Sequence, residues 1–487
     1  MVESIFISKE LDKNIKVLQD IFKDCQDLVF KKFPIGKDLK TNAYMFYFDV
    51  MVDRTAIENT IVSNFMADGR LIYDSIEEMP QSEKYDYINK GAIATIDKKE
   101  VKTLQELIQA VTNGDTAILI DGYDSGIIVS TKKYPMRGIS EPENEVVVRG
   151  PKDGFTEVFR INTVLIRRRI RDPQLKCKQF EIGTRTNTNI GIMYMEDLAR
   201  ESVVEEVIKN IHTFEIDAIL DSGMLSQLIE DKGLSPFPQI QATERPDKAS
   251  SALLEGRVVI MVDNSPFALI VPATLNCFLQ ASDDYYSRWG IMALTRFIRY
   301  IAVLISILLP GLYVAVTTFH IAILPTSLAL SFAAAREGVP FPAAIEVLIM
   351  EIAFELLREA GIRLPGPVGS AIGIVGGLIV GQAAVSANLV SPIIVIIVAL
   401  TAICSFAIPN DEFTSAIRVI KFFVLLLSAV LGFYGFWLGV IGILIHLSHL
   451  TSYGIPYLMP FVAGSVDDNN DMEDSIIRMP FYKMKKR

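Results

Sequence analysis

The chain has 487 residues, half of them hydrophobic and 21% charged, and its mean hydropathy is +0.34. Residues 1–288 hold 35 Lys and Arg against 45 Asp and Glu, while residues 289–487 hold 12 of each, so the whole net charge of −10 sits in the first part. An acidic first part with no basic arm argues against a nucleic-acid partner, and four scattered cysteines, Cys25, Cys177, Cys277 and Cys404, lack the spacing of a zinc site or a disulfide framework.

The N-terminal stretch MVESIFISKELDKN has no basic segment ahead of an apolar one, so no cleavable signal peptide is expected. Tyr44 to Met51 reads as a strand before a helical stretch, Thr55 to Met66. Leu104 to Gly122 reads as a helix, a glycine turn and a buried strand, and Gly126 to Ser130 returns as a second strand of a hairpin. The same types recur in order later. Ile190 to Glu196 is a strand, Ser202 to His212 a helix, Ser250 to Asn264 a helix, turn and strand, and Phe267 to Val271 the returning strand. The expected fold is therefore α/β, with two subdomains related by a diverged duplication, residues 1–135 and 136–288.

No catalytic constellation stands out in this half. Gly36-Lys37 lacks the P-loop spacing, and His212 is the sole histidine before the membrane part, so neither an enzyme nor a cofactor site is expected. The run Arg167, Arg168, Arg169 and Arg171 reads as a solvated face with local ion pairs, or as a surface for an acidic partner or anionic headgroups. Thr243, Glu244, Arg245 and Asp247 admit two readings. They form a partner-binding loop in the cleft between subdomains, or a structural turn in which Glu244 pairs with Arg245 and Pro246 opens a helix.

Three stretches of the second half carry no Asp, Glu, Lys or Arg: Tyr300 to Ala335, Leu364 to Asn410 and Phe422 to Val466. Each exceeds the roughly 20 residues that cross a bilayer core. We expect an all-α, multi-span transmembrane domain over 289–466, with spans near 297–319, 368–388, 390–408 and 420–447, and re-entrant or interfacial pieces near 321–335 and 341–359. A mobile cytoplasmic tail, 467–487, follows. Arg288, Arg296 and Arg299 before the first span, and the basic C-terminus, place both ends on the cytoplasmic side. Arg336, Arg358 and Arg363 run against that placement unless 321–359 re-enters the membrane or lies in its interface.

Gly369, Gly373, Gly377 and Gly381 recur every four residues and form a ladder that lets helices approach closely in lipid. Val368, Ile372 and Val375 lie on a neighbouring stripe and are candidates for a hydrophobic gate. Glu346, Glu351 and Glu355 stand in an apolar background. Glu351, Glu355 and Glu359 share a face with Arg358 in pairing range, while Glu346 lies well off it. Carboxylates at membrane depth line water-filled paths or bundle interiors, and repeated in a symmetric ring they select cations. An amphipathic helix at the interface is the other reading. His446 and His449, three apart, read as interfacial polar residues.

Long ordered motifs carry a family resemblance. They include VVRGPKDGFTEVFRINTVLIRRRIRDPQL (147–175), SPFPQIQATERPDKASSALLEGRVVIMVDNSPF (235–267) and DDYYSRW (283–289). In the membrane part they continue as LPGLYVAV, VPFPAAIE, LREAGIRLP, GIVGGLIVGQAAVSA and YGIPYLMP. In these the chain resembles the A subunit of GerA-type spore germinant receptors. A closely similar member encoded with the stage V spore-membrane transport genes shares the motifs.

The resemblance implies a multi-pass protein of the spore inner membrane with its N-terminal domain on the core side. It implies a permease-like B subunit and a lipoprotein C subunit as partners, and assembly of the A subunits into a homo-oligomeric ring in membrane lipid that releases monovalent cations when nutrient is sensed. Three functions follow in order of expectation: a ligand-gated cation channel, a non-conducting scaffold, and a secondary transporter. The transporter ranks last because no inverted second half is visible around Pro325 and Pro392.

Overall fold

In the computed structural model, residues 5–35, 41–62, 97–133, 141–142, 144–362, 380–462, 474–480 and 482 are described. The chain divides into two compact units: Met1–Val147, Pro151–Glu230 and Ala242–Pro272 form the first, and Val148–Gly150, Asp231–Gln241 and Ala273–Arg487 the second.

The first unit carries two five-stranded sheets of matching order. The strands of the first are β1 (Leu28–Ile35), β2 (Thr41–Phe48), β3 (Lys98–Val101), β4 (Thr116–Ile120) and β5 (Gly126–Val129), in the order β1-β2-β4-β5-β3. Those of the second are β6 (Leu175–Ile182), β7 (Thr188–Met195), β8 (Gln241–Thr243), β9 (Val258–Val262) and β10 (Ala268–Val271), in the order β6-β7-β9-β10-β8. The anticipated hairpins are β4–β5, with Thr116 opposite Val129, and β9–β10, with Val258 opposite Val271. Every residue of TAILI in β4 and VVIMV in β9 is buried, as continuous apolar runs at a sheet centre require.

The helices are α1 (Leu11–Ile21), α2 (Leu104–Thr112), α3 (Phe159–Arg167), α4 (Glu201–Ile211), α5 (Ser222–Ile229) and α6 (Pro246–Leu254). A capping box starts α2: Thr103 Oγ1 accepts from the Glu106 amide and donates to Glu106 Oε2 at 2.9 Å. Pro246 opens α6, where its missing N–H costs nothing. The helix anticipated over 55–66 is a single turn, Arg54–Ala56, followed by a π-helix, Ile57–Val62, and the rest of it lies outside the described residues.

The two sheets are not separate bodies. Gln26 N donates to Cys177 O at 3.1 Å, Cys177 N donates to Asp24 O at 3.0 Å, and Lys176 Nζ donates to Ile21 O at 2.8 Å. Arg160 pairs with Asp49 at 2.6 Å and Arg167 with Asp27 at 2.7 Å. The arginine run is thus largely used inside the unit. Arg167 is buried, and one nitrogen of Arg169 reaches both oxygens of Asp153 at 2.7 Å. Arg167 departs from the solvated face expected of the run because it is buried against Asp27, whereas Arg169 makes a local ion pair of the expected kind.

The second unit is helical: α7 (Trp289–Phe319), α8 (Thr326–Ala335), α9 (Ala343–Ile362), α10 (Pro392–Phe406) and α11 (Asp411–His449). Among the described residues, α7 and α11 are long and apolar enough to cross a membrane. The anticipated span 390–408 is the 15-residue α10, and most of 368–388 lies outside the described residues.

Helix α11 departs from the expected single span 420–447. Straight, its 39 residues would extend about 58 Å, yet the Phe237 ring lies 6.0 Å from that of Phe413 and 5.9 Å from that of His446. The chain breaks at Gly432, with φ 61° and ψ −136°, and doubles back as a helical hairpin. Small residues let the arms close: a Cβ placed on Gly439 would lie 3.2 Å from Val424 Cγ2, and one on Gly435 would strike the Leu427 carbonyl. Gly311 of α7 packs against Val424 and Ser428 in the same way.

One end of the helical layer gathers several termini. There Arg296 and Arg299 of α7, read from the sequence as flanking cations, are buried and paired with Asp284 at 3.3 and 2.8 Å. Of the tail expected to be mobile, Asp474 and Arg478 are docked at the same place. Asp474 Oδ1 accepts from Arg296 at 2.7 Å, Asp474 Oδ2 accepts from Tyr285 Oη at 2.6 Å, and Arg478 donates to the carbonyls of Asp284 and Ser287. Buried charges with no water to solvate them need such partners.

Candidate ion path and its charged residues

Helix α9 buries Ala343, Glu346, Val347, Met350 and Glu351, the spacing of one helix face. Glu346 and Glu351 are both buried in this packing but stand about 140° apart around the helix, and Glu346 meets other partners than Glu351 and Glu355 do. The face packs with Val390, Ile394 and Val398 around α10, and with Tyr313, Val314 and Leu425 of α7 and α11.

Each carboxylate has a distinct setting. Glu346 Oε1 lies 3.1 Å from Arg336 Nη2 at the end of α8, and its Oε2 accepts from the Ser391 amide at 2.8 Å just before α10. It ties three elements together. Glu351 is 2% exposed, and its Oε2 accepts from Lys421 Nζ at 2.5 Å. Its other oxygen is buried with no hydrogen-bond partner among the described residues. Glu355 Oε2 accepts from Arg418 Nη1 at 3.2 Å, and its Oε1 lies 3.6 Å from Lys421 Nζ.

The partners differ from those expected. Arg358, placed within reach of Glu351 and Glu355 by helical spacing, has its guanidinium 5.5 Å from the Phe406 ring centre instead. The cations that compensate the acids, Arg418 and Lys421, come from the first arm of α11. Their sequence signal was available: two cations three apart open the charge-free run at Phe422, matching two acids four apart on α9. Chemically, the arrangement places an ammonium between two carboxylates inside an apolar layer, with a guanidinium behind the outer one.

The other candidates fall in different places. Gly381 faces α10, where an added Cβ would lie 3.1 Å from Val395 Cγ1. Gly369, Gly373 and Gly377, with Val368, Ile372 and Val375, lie outside the described residues. His446 Nε2 hydrogen-bonds Ser235 Oγ at 2.8 Å, and the carbonyl of His449 accepts from Lys232 at 2.6 Å.

In the first unit, Thr243, Glu244 and Arg245 are buried. Glu244 accepts from Asn144 Nδ2 at 2.6 Å, and Arg245 pairs with Asp247 at 2.9 Å and donates to the carbonyls of Glu145 and Pro151. Glu244 and Arg245 do not pair with each other as the turn reading expected. Glu145 accepts from Thr243 Oγ1, the Glu244 amide and Lys248. Burial alone would raise its carboxyl, but Lys248 and these donors hold it below its ordinary value of 4.5.

The comparisons with known proteins cover almost the whole chain. The family described as Bacillus/Clostridium GerA spore germination protein matches residues 16–487. The chain is 39% identical to spore germination protein B1 of Bacillus subtilis (strain 168), over 99% of this chain and 97% of that protein. It is 40% identical to spore germination protein KA of the same organism, over 99% and 87%, and 40% identical to its spore germination protein A1, over 98% and 96%. Among solved structures, the N-terminal domain of the A subunit of the Bacillus megaterium spore germinant receptor GerK3 is 29% identical, with a TM-score of 0.45, covering 56% of this chain and 98% of that one.

Proposed function

The chain belongs to the GerA family of spore germination proteins, and we propose that it is the A subunit of a nutrient-germinant receptor in the spore inner membrane, acting as an oligomeric, ligand-gated channel for monovalent cations. The observation that carries this reading is the pair of buried carboxylates Glu346 and Glu351, with half-buried Glu355 one turn beyond Glu351, in a helical layer otherwise free of charge over long runs. Carboxylates retained at such depth belong to ion paths more often than to packing. In this reading α7 and the two arms of α11 cross the membrane, with α9 and α10 packed among them. The first unit lies on the core side, a permease-like B subunit and a lipoprotein C subunit complete the receptor, and copies of this chain close a ring. The stripe Val368, Ile372 and Val375 supplies the hydrophobic gate in this reading, and the ladder Gly369, Gly373, Gly377 and Gly381 the close helix contacts.

Conductance of the purified chain in a lipid bilayer, alone and with B and C subunits, tests the reading. Glu351→Gln and Glu355→Gln lower the potassium current at equal protein level. Unchanged currents would remove these residues from the path. A second reading, a non-conducting scaffold, is favoured by the full compensation of Glu351 and Glu355 by Lys421 and Arg418 in this conformation. Absence of current from the complete receptor under nutrient would select it.

A further inference from the structure

We propose that Glu351 and Glu355 form a binding site for a monovalent cation, and that the ammonium of Lys421 is its intramolecular occupant in this conformation. Lys421 Nζ lies 2.5 Å from Glu351 Oε2 and 3.6 Å from Glu355 Oε1, bridging carboxylates one helical turn apart. An ammonium and a potassium ion carry the same charge, and both accept a ring of oxygen neighbours. Glu351 Oε1, buried and without a hydrogen-bond partner among the described residues, is a ligand oxygen that the lysine leaves unused.

The other groups around the site fix what it binds. Arg418 is held by Glu355 Oε2 at 3.2 Å and by Ser415 Oγ at 2.5 Å, so Glu355 keeps a countercharge when Lys421 is withdrawn. With Lys421 in place the four charges cancel. With Lys421 withdrawn, one net negative charge remains in an apolar layer, which calls for one monovalent cation and is poorly matched to a divalent one. The proposal rests on the channel reading for its consequence in flux: the tethered lysine competes with the permeant ion, and separation of α9 from α11 hands the site over. Binding itself is measured without flux.

The test uses the full-length chain purified in detergent, melted in potassium chloride or in N-methyl-D-glucamine chloride at about 0.3 M. Wild type melts alike in both salts. Lys421→Met, which keeps the apolar stem and removes only the charged end, melts lower in glucamine and regains about 3 °C in potassium. Glu351→Gln/Lys421→Met, with the charge removed from both sides, is indifferent to the salt. A Lys421→Met protein that is equally indifferent overturns the proposal. So does failure of both Lys421→Met and Lys421→Gln to accumulate in potassium-rich cells when the double variant accumulates, since no external cation would then replace the ammonium. Potassium-dependent melting of Lys421→Met with no current from any form keeps the site and removes the channel. Current from wild type with salt-indifferent melting of Lys421→Met keeps the channel and removes the site.

Discussion

Arg167 Nη2 donates to Asp27 Oδ1 at 2.7 Å, and the two residues, 140 apart in sequence, are sealed together where the two sheets of the first unit meet. The guanidinium also stands 4.0 Å from the Phe48 ring centre. Removing one partner of such a pair strands the other charge away from water. Arg167→Ala is expected to destabilise the first unit by about 3–5 kcal/mol. Arg167→Lys restores only part of this, because the fork that meets both carboxylate oxygens is lost. Urea melts of the three proteins check the order.

Acid weakens the first unit through Glu145. Its folded-state carboxyl titrates below the ordinary value of 4.5, so its contribution is complete above pH 4.5 and is lost as the pH falls through the folded value. Thermal melts of wild type and Glu145→Gln compared across pH give wild type the higher Tm near neutrality, with the gap closing below pH 4.5. A constant gap would assign the group no role in the acid response.

Gly432→Ala is expected to damage the second unit. The new Cβ would sit 2.8 Å from the Phe319 ring, and the backbone, φ 61° with ψ −136°, belongs to a region that only glycine enters without strain. A loss of about 2–4 kcal/mol follows, read as a lower Tm and a lower yield of folded protein. Gly442→Ala, on the same helix with open space at its Cβ, serves as the control and melts like wild type.

Deleting residues 474–487 removes the carboxylate that meets Arg296 and the guanidinium that caps the carbonyls of Asp284 and Ser287. We expect a loss of about 2 kcal/mol, with new protease cleavage near residues 283–288. Asp474→Asn, which keeps the shape and removes the charge, shows a smaller loss of the same kind. A truncated chain that melts and cleaves like wild type would make the docked tail ornamental.

The repeated sheet was legible because each copy declares itself locally: an amphipathic helix, a glycine and a run such as TAILI or VVIMV, with a turn before the return strand. The acidic stripe on α9 was legible for the same reason, being a matter of composition and helical spacing. Its partners were not. Lys421 and Arg418 are 70 and 63 residues away from the acids they meet, whereas Arg358 is nearby in sequence and drew the pairing. The fold-back of α11 was invisible to hydropathy, which scores side chains and is blind to the one backbone conformation at Gly432 that reverses the chain. Thr243 to Asp247 admitted a partner-binding loop because its residues are polar, yet Thr243, Glu244 and Arg245 spend hydrogen bonds on Glu145, Asn144 and Pro151.

The pairing of Arg296 with Asp474 also sets an order of events during synthesis. The two are separated by 178 residues, so at about 5–20 residues per second the ribosome needs roughly 10–35 s after Arg296 to produce its acidic partner. During that interval Arg296 has Asp284 and its neighbouring peptide groups, but the far side of its guanidinium waits. Final closure of the base of α7 is thus a late step, and until residue 474 is made Arg296 at the root of the first long apolar helix has only Asp284 as its acidic partner.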